Sequence, residues 1–130
     1  MRTGRFPRSE RLLGRRNFAL FAKAKQYRGS FIRVAAVSHI DGTLVYDRKV
    51  AFVVSKKTAS RAVDRNKTKR RLRELYRKWR ETLPQDIWLM FIALPEAIAD
   101  VRFDELEKDF ISVCKKIASQ NDGNIRNKIV

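Results

Sequence analysis

The spacing of apolar residues changes period several times along the chain, and each change predicts an element. Phe18, Leu20, Phe21 and Ala24 recur at helical intervals and predict a first helix over residues 15–26, with Asn17 as a candidate cap and Gly29 as its stop. Residues 31–37 (FIRVAAV) read as a strand rich in β-formers. Asp41-Gly42 is a turn signal, with residues 43–46 as the returning strand of a hairpin. The unbroken apolar run 50–54 (VAFVV) predicts a central strand covered on both faces. A long helical pattern over 61–83 stops at Pro84, and the apolar run 87–94 (IWLMFIAL) predicts another strand, bounded by Pro95. Phe103, Leu106, Phe110, Val113 and Ile117, spaced 3, 4, 3 and 4, mark an amphipathic helix. The order α-β-β-β-α-β-α predicts an α+β fold, a small sheet packed with three helices. One domain over residues 1–118 and a flexible polar tail over 119–130 are the expected organisation.

Charge changes this picture from a generic fold to a cationic one. The 130 residues hold 30 Lys plus Arg against 14 Asp plus Glu, a net charge of +16. It is gathered in two places: residues 1–28 carry +8 and residues 55–80 carry +10, whereas 29–54 carry +1 and 81–130 carry −3. Such a distribution is the electrostatic footprint of a polyanion binder. No stretch reaches the roughly 18 uncharged apolar residues of a membrane span. The basic N-terminus lacks the apolar run of a signal peptide. Cys114 is the single cysteine, which excludes a disulfide framework and a cysteine-based zinc site, and a reducing cytoplasm is the expected compartment.

On a helical wheel the 61–83 segment has three faces. Leu72, Leu75, Tyr76, Trp79 and Leu83 share an apolar arc of about 100°. Beside it, Asn66, Lys69, Arg70, Arg73, Arg77 and Arg80 form an arc without an acid. The remaining face mixes Lys67, Arg71 and Lys78 with Glu74, an ordinary solvated pattern. Arg65 falls in line with the apolar arc, so the helix is expected to overhang the sheet there, holding Arg65 and Asn66 over a cleft where they can bind phosphates. Asp64 is the expected N-cap, and Lys56 and Lys57 border the same cleft.

No catalytic constellation assembles. His39 is the lone histidine, Cys114 reads as a small core residue, and the carboxylates concentrate in residues 96–109, far in sequence from the basic arc. There is no Gly-rich phosphate loop and no metal-ligand spacing. The residues describe a nucleic-acid binder whose chemistry comes from its partner.

Residues 55–74 (SKKTASRAVDRNKTKRRLRE) resemble the protein subunit of bacterial ribonuclease P. That family's signature runs from a strand ending V-S-K-K, through A-V-x-R-N-R-x-K-R, to L-x-R-E. Here it is Val54-Ser55-Lys56-Lys57, Ala62-Val63-Asp64-Arg65-Asn66-Lys67-Thr68-Lys69-Arg70 and Leu72-Arg73-Glu74. The resemblance implies a partner, a catalytic RNA subunit that removes the 5′ leader of precursor tRNA by Mg²⁺-dependent hydrolysis, with Mg²⁺ bound mainly by RNA. It implies that Lys56, Lys57, Arg61, Arg65, Asn66, Lys67, Lys69, Arg70, Arg73 and Arg77 contact RNA, and that Phe18 and Phe21 belong to a leader cleft. It also implies a left-handed crossover, against a rule that holds in about 98% of cases. No catalytic residue, protein-bound metal, membrane or protein partner is implied for the chain itself. The chain departs from the pattern at Lys67 (usually Arg), Asn17 (usually Phe), Ala35 (usually aromatic) and Leu94 (often cationic). A stand-alone RNA-binding protein of ribosomal or assembly type is the alternative that composition leaves open.

Overall fold

The computed structural model describes residues 10–12, 19–95 and 101–129, the side chains of Lys23 and of 121–129 excepted. Its framework is a four-stranded sheet in the order β1-β2-β6-β5. The strands are β1 (Lys25–Arg28), β2 (Ile32–Val37), β5 (Lys49–Val53) and β6 (Trp88–Ala93). β1, β2 and β6 pair antiparallel, and β5 joins β6 in parallel with Phe52 opposite Phe91. Between β2 and β5, β3 (His39–Ile40) and β4 (Thr43–Leu44) form a separate two-stranded ladder. Its turn is the expected Asp41-Gly42, with φ of 52° and 79°, the pair of left-handed residues that a tight hairpin requires.

Strand alternation gives the sheet two different faces. Ile32, Val34 and Ala36, Val50 and Phe52, and Leu89, Phe91 and Ala93 face helices α1 (Ala62–Trp79) and α2 (Phe103–Ile129). From α1 come Leu72, Leu75 and Tyr76; from α2 come Leu106, Phe110, Val113, Cys114 and Ile117. Phe110 stacks on Phe91 at 5.0 Å and Phe91 on Phe52 at 5.5 Å, so one line of rings links α2 to the sheet edge. The Cys114 thiol is buried there as expected, and burial pushes it up to about 12. The opposite face carries Ala35, Val37, Ala51 and Met90, covered by Leu12 and Phe21.

Two expectations are corrected. Residues 25–28, expected to end the first helix, form edge strand β1: a short 3₁₀ turn (Leu20–Lys23) ends at an extended Ala24, and Tyr27 then pairs with Val34. Cross-strand pairing overrides a weak helical pattern there; residues 15–18 of that predicted helix lie outside the described residues. The 50–54 run is an edge strand, not a central one. It is apolar throughout because α1 covers one face and Leu12 the other, while β2 and β6 take the centre. In the segment expected as a polar tail, the backbone of α2 continues to Ile129.

One carboxylate fixes how α2 sits on the sheet. Asp109 accepts the backbone N–H groups of Ser30, Phe31 and Ile32 at 2.7, 2.8 and 3.2 Å, joining the β1–β2 connection to the helix. A methyl group on Gly29 would collide with that carboxylate. Replacing Asp109 by Ala should cost about 2–3 kcal/mol, since three amides lose a charged acceptor. Gly29→Ala should be costly in the native chain but close to neutral in the Asp109→Ala background. Denaturant unfolding of the four proteins measures this, and additive costs would disprove the coupling.

Candidate nucleic-acid interface

β5 gives way at Val54 to a turn in which the amides of Thr58 and Ala59 bond to the Ser55 carbonyl, with the Ser55 and Thr58 hydroxyls 3.1 Å apart. This turn leaves Lys56 and Lys57 exposed just ahead of α1. Arg61 occupies the N-cap position in an extended conformation and caps nothing with its side chain, while Asp64 lies inside the first turn. The expected Asp64 cap is therefore corrected: its carboxylate adds favourable charge near the helix N-terminus rather than a cap bond. Thr68 is buried, its hydroxyl donating to the Asp64 carbonyl at 2.8 Å.

Arg65 is half-buried, as an arginine in line with the apolar arc must be. Its Nη1 donates to the carbonyls of Ala59 and Ser60 at 3.0 and 2.8 Å, tying the loop to the first turn of the helix. So the guanidinium expected over an open cleft has one nitrogen committed to the backbone. Leu72, Leu75 and Tyr76 are fully buried and Trp79 half-buried, as the apolar arc requires.

Beside this arc, Asn66, Arg70, Arg73 and Arg77 are exposed, with Lys69 half-buried among them. None of these cations is in an ion pair among the described residues. Arg61 is exposed and Lys67 half-buried at the same end of the helix. The structure thus brings the predicted α1 cations together with Lys56 and Lys57 at one end and on one side of the fold.

Arg80 departs from the row. It pairs with Glu10, whose carboxylate also accepts the Tyr76 hydroxyl and, at 3.0 Å, Arg48 Nε. Arg48 Nη1 in turn reaches the carbonyls of Arg80, Leu83 and Pro84 at 2.9, 3.3 and 3.2 Å. Burial pushes the Glu10 carboxyl up, but the bonds from Tyr76 and Arg48 and the charges of Arg48 and Arg80 outweigh it, holding the group below its ordinary value. Sequence reading missed this cluster; its one signal was that Glu10 is the only acid among the first 28 residues. The mixed face is also reassigned. Lys78 pairs with Glu107 of α2 at 2.7 Å rather than with Glu74, and Arg71 donates to the Val101 carbonyl at 2.8 Å.

On the second sheet face Phe21 is only 5% exposed, packed with Leu12, Ala35, Val37, Ala51 and Met90. Phe21, which the resemblance places in a leader cleft, is thus a buried ring packed among the small Ala35 and Ala51 on this face. Phe18 lies outside the described residues. Half-buried Val53, Trp88 and Ile92 extend the apolar surface, and Arg33 and Arg28, paired in register, stand beside it. Among the described residues no three His, Cys, Asp or Glu side chains are placed to hold a metal ion, and no helix is long and apolar enough to cross a membrane. The Mg²⁺ implied by the resemblance thus has no fitting cage in these side chains.

A family model described as ribonuclease P matches residues 6–118. The chain is 30% identical over 111 residues to the ribonuclease P protein component of Pseudanabaena sp. (strain PCC 6903), covering 85% of this chain and 92% of that one. It is 37% identical over 105 residues to the ribonuclease P protein component of Thermus thermophilus, of which it spans 58% while 81% of this chain is covered. Among solved structures, the RNase P protein from Thermotoga maritima superposes with a TM-score of 0.69 at 27% identity, covering 83% of this chain and 97% of the other.

Arg65→Ala should lower stability by about 1 kcal/mol through the two lost carbonyl bonds, whereas Arg70→Ala should leave it unchanged. Thermal melts compare them. Glu10 gives a pH dependence with a definite sign. Its folded value lies below the ordinary 4.5, so its stabilisation is complete above that pH and is lost as pH falls through the folded value. Glu10→Gln should therefore flatten the acid limb of the stability profile, and an unaltered limb would rule out this role.

Proposed function

The chain belongs to the ribonuclease P protein family, the protein subunit of an endoribonuclease ribonucleoprotein, and from that premise we propose how its surfaces divide the work. The exposed row of α1 binds the phosphates of the catalytic RNA, and the second sheet face receives the single-stranded 5′ leader of precursor tRNA. The observation that carries this reading is the row Asn66, Arg70, Arg73 and Arg77, exposed and without an acidic partner among the described residues.

The chemistry follows from charge and shape. A rigid helix offering arginine forks at successive turns matches a phosphate backbone better than flexible lysines do, since each fork donates two parallel bonds. Lys56, Lys57 and Arg61 extend the contact around the N-terminal end of the helix, and Lys67 and Lys69 flank the row. Arg65 contributes its remaining nitrogens from a position already fixed by the loop carbonyls. On the other face, buried Phe21 serves as the wall of the leader cleft, and half-buried Val53, Trp88 and Ile92 are the surfaces bases touch. Arg28 and Arg33 meet leader phosphates at the rim. Mg²⁺ is a hard cation that takes oxygen ligands, and RNA phosphates supply them. The protein raises local affinity and orders the two RNAs, and the cytoplasm, where both RNAs are found, is its place of work.

The decisive experiment measures leader cleavage of a precursor tRNA by a bacterial catalytic RNA at low Mg²⁺, with and without the protein. Cleavage should rise only when both components are present. Arg70→Ala with Arg73→Ala should lower the slope of log affinity against log salt by about one per lost phosphate contact. Binding without any change in cleavage would make the chain a general RNA binder, and cleavage by the protein alone would overturn the proposal.

A further inference from the structure

The Glu10 cluster does nothing in the RNA contacts assigned above, yet three side-chain donors meet on its carboxylate. Three donors from three parts of the chain converge on one carboxylate: Arg48 before β5, Tyr76 within α1 and Arg80 after it. Arg48 is itself fixed by three loop carbonyls and lies over the Tyr76 ring at 5.7 Å. The carboxylate is therefore held by a rigid cradle rather than by loose side chains.

Burying such a cluster is a poor way to gain stability, because desolvation offsets most of the attraction. Here one extra cost is visible. Arg80 Nε is buried without a hydrogen-bond partner among the described residues. Removing Glu10 alone would leave the donors of Arg48, Tyr76 and Arg80 without their acceptor, so the carboxylate serves to hold these three groups in one arrangement.

What it positions follows from the next two residues. Arg11 bridges Val50 on the free edge of β5, and the Leu12 amide donates to the Val50 carbonyl at 3.0 Å. Leu12 then lies beside Phe21 on the second sheet face, and both are 5% exposed. A bridge of this length on an edge strand is weak alone. Glu10 anchors it at one end.

We propose that Glu10 is a positioning residue for the leader: it clamps the N-terminal segment to the C-terminal end of the RNA-binding helix and so sets the depth of Leu12 and Phe21 in the cleft wall. This rests on the reading of the second sheet face as the leader cleft. A change at Glu10 then acts on substrate leaders and not on the catalytic RNA, because Glu10 bonds to Arg48, Tyr76 and Arg80 and to none of the exposed row Asn66, Arg70, Arg73 and Arg77.

The test uses the full chain assembled with a bacterial catalytic RNA, comparing the native protein with Glu10→Gln and with Tyr76→Phe, which keeps both arginine bonds. KM is measured for one precursor tRNA carrying either a leader of several nucleotides or a single leader nucleotide. Glu10→Gln should raise KM about five- to tenfold for the long leader, the low end of coupling between sites, with kcat, the short-leader KM and the affinity for catalytic RNA unchanged. Tyr76→Phe should give a smaller rise of the same kind. Hydrogen exchange on the free protein should show the Leu12 amide opening at least tenfold faster in Glu10→Gln, with Leu72 and Leu75 in α1 unaffected. Equal KM changes for both leaders, an unchanged Leu12 amide, or loss of protection throughout α1 would each overturn the positioning role. A native protein that fails to stimulate either precursor would instead overturn the leader reading itself, while the exchange comparison still decides whether Glu10 clamps the segment.

Discussion

The seating of α1 on the sheet through Leu72, Leu75 and Tyr76 is the constraint on which everything else hangs. Residues 55–80 carry +10, and a segment so charged repels itself when left in water. Only burial of an apolar arc holds it as one helix in one orientation. Tyr76 and Phe52 meet edge to face at 5.9 Å, and the ring line through Phe91 to Phe110 carries that contact across to α2. Once the arc is buried, geometry leaves the basic arc no choice but to lie along the flank of the fold, facing solvent. The basic surface is thus a by-product of core packing, which is why its direction is well defined although none of the exposed cations of the row is held by an acid among the described residues.

The same packing explains which parts of the molecule could be read from sequence. Elements set by a strong period were legible: α1, α2, β2, β6 and the Asp41-Gly42 hairpin all stand where their patterns put them. The basic arc was legible for the same reason, since helical phase fixes which residues share a face. Two strand assignments failed because an apolar run reports burial and not neighbours. β5 is buried on both faces at the sheet edge, and β1 is short and polar, defined by its pairing with β2. Neither fact is local. Arg65 and Arg80 were misread similarly: a wheel counts charges, but their partners are loop carbonyls and a carboxylate about 70 residues away in the chain. The Asp109 acceptor, 77 to 79 residues from its three amides, leaves no trace in any periodicity.

Family membership adds identity to this physical picture without supplying residue positions. At 27–37% identity the framework is shared, while individual side chains are free to differ. The second sheet face illustrates it. Ala35 is small, and Phe21 is buried with it in one cluster as part of the core. The face keeps its apolar character through Val53, Trp88 and Ile92, so the same kind of ligand can be met by different atoms.

Two arginines that bond within the fold bracket the exposed row of the helix. Arg65 is bonded into the loop that precedes α1, and Arg80 into the cluster that follows it. Between them the exposed row runs from Asn66 to Arg77, twelve residues spanning about 17 Å of helix, with one exposed polar group per turn of about 5.4 Å. Arg65 and Arg80 each bond within the fold, so the exposed side chains between them are the ones left facing solvent. Along the helix these side chains keep a fixed spacing and a fixed direction relative to the sheet. That rigidity, rather than the total charge, separates this surface from an ordinary cationic tail.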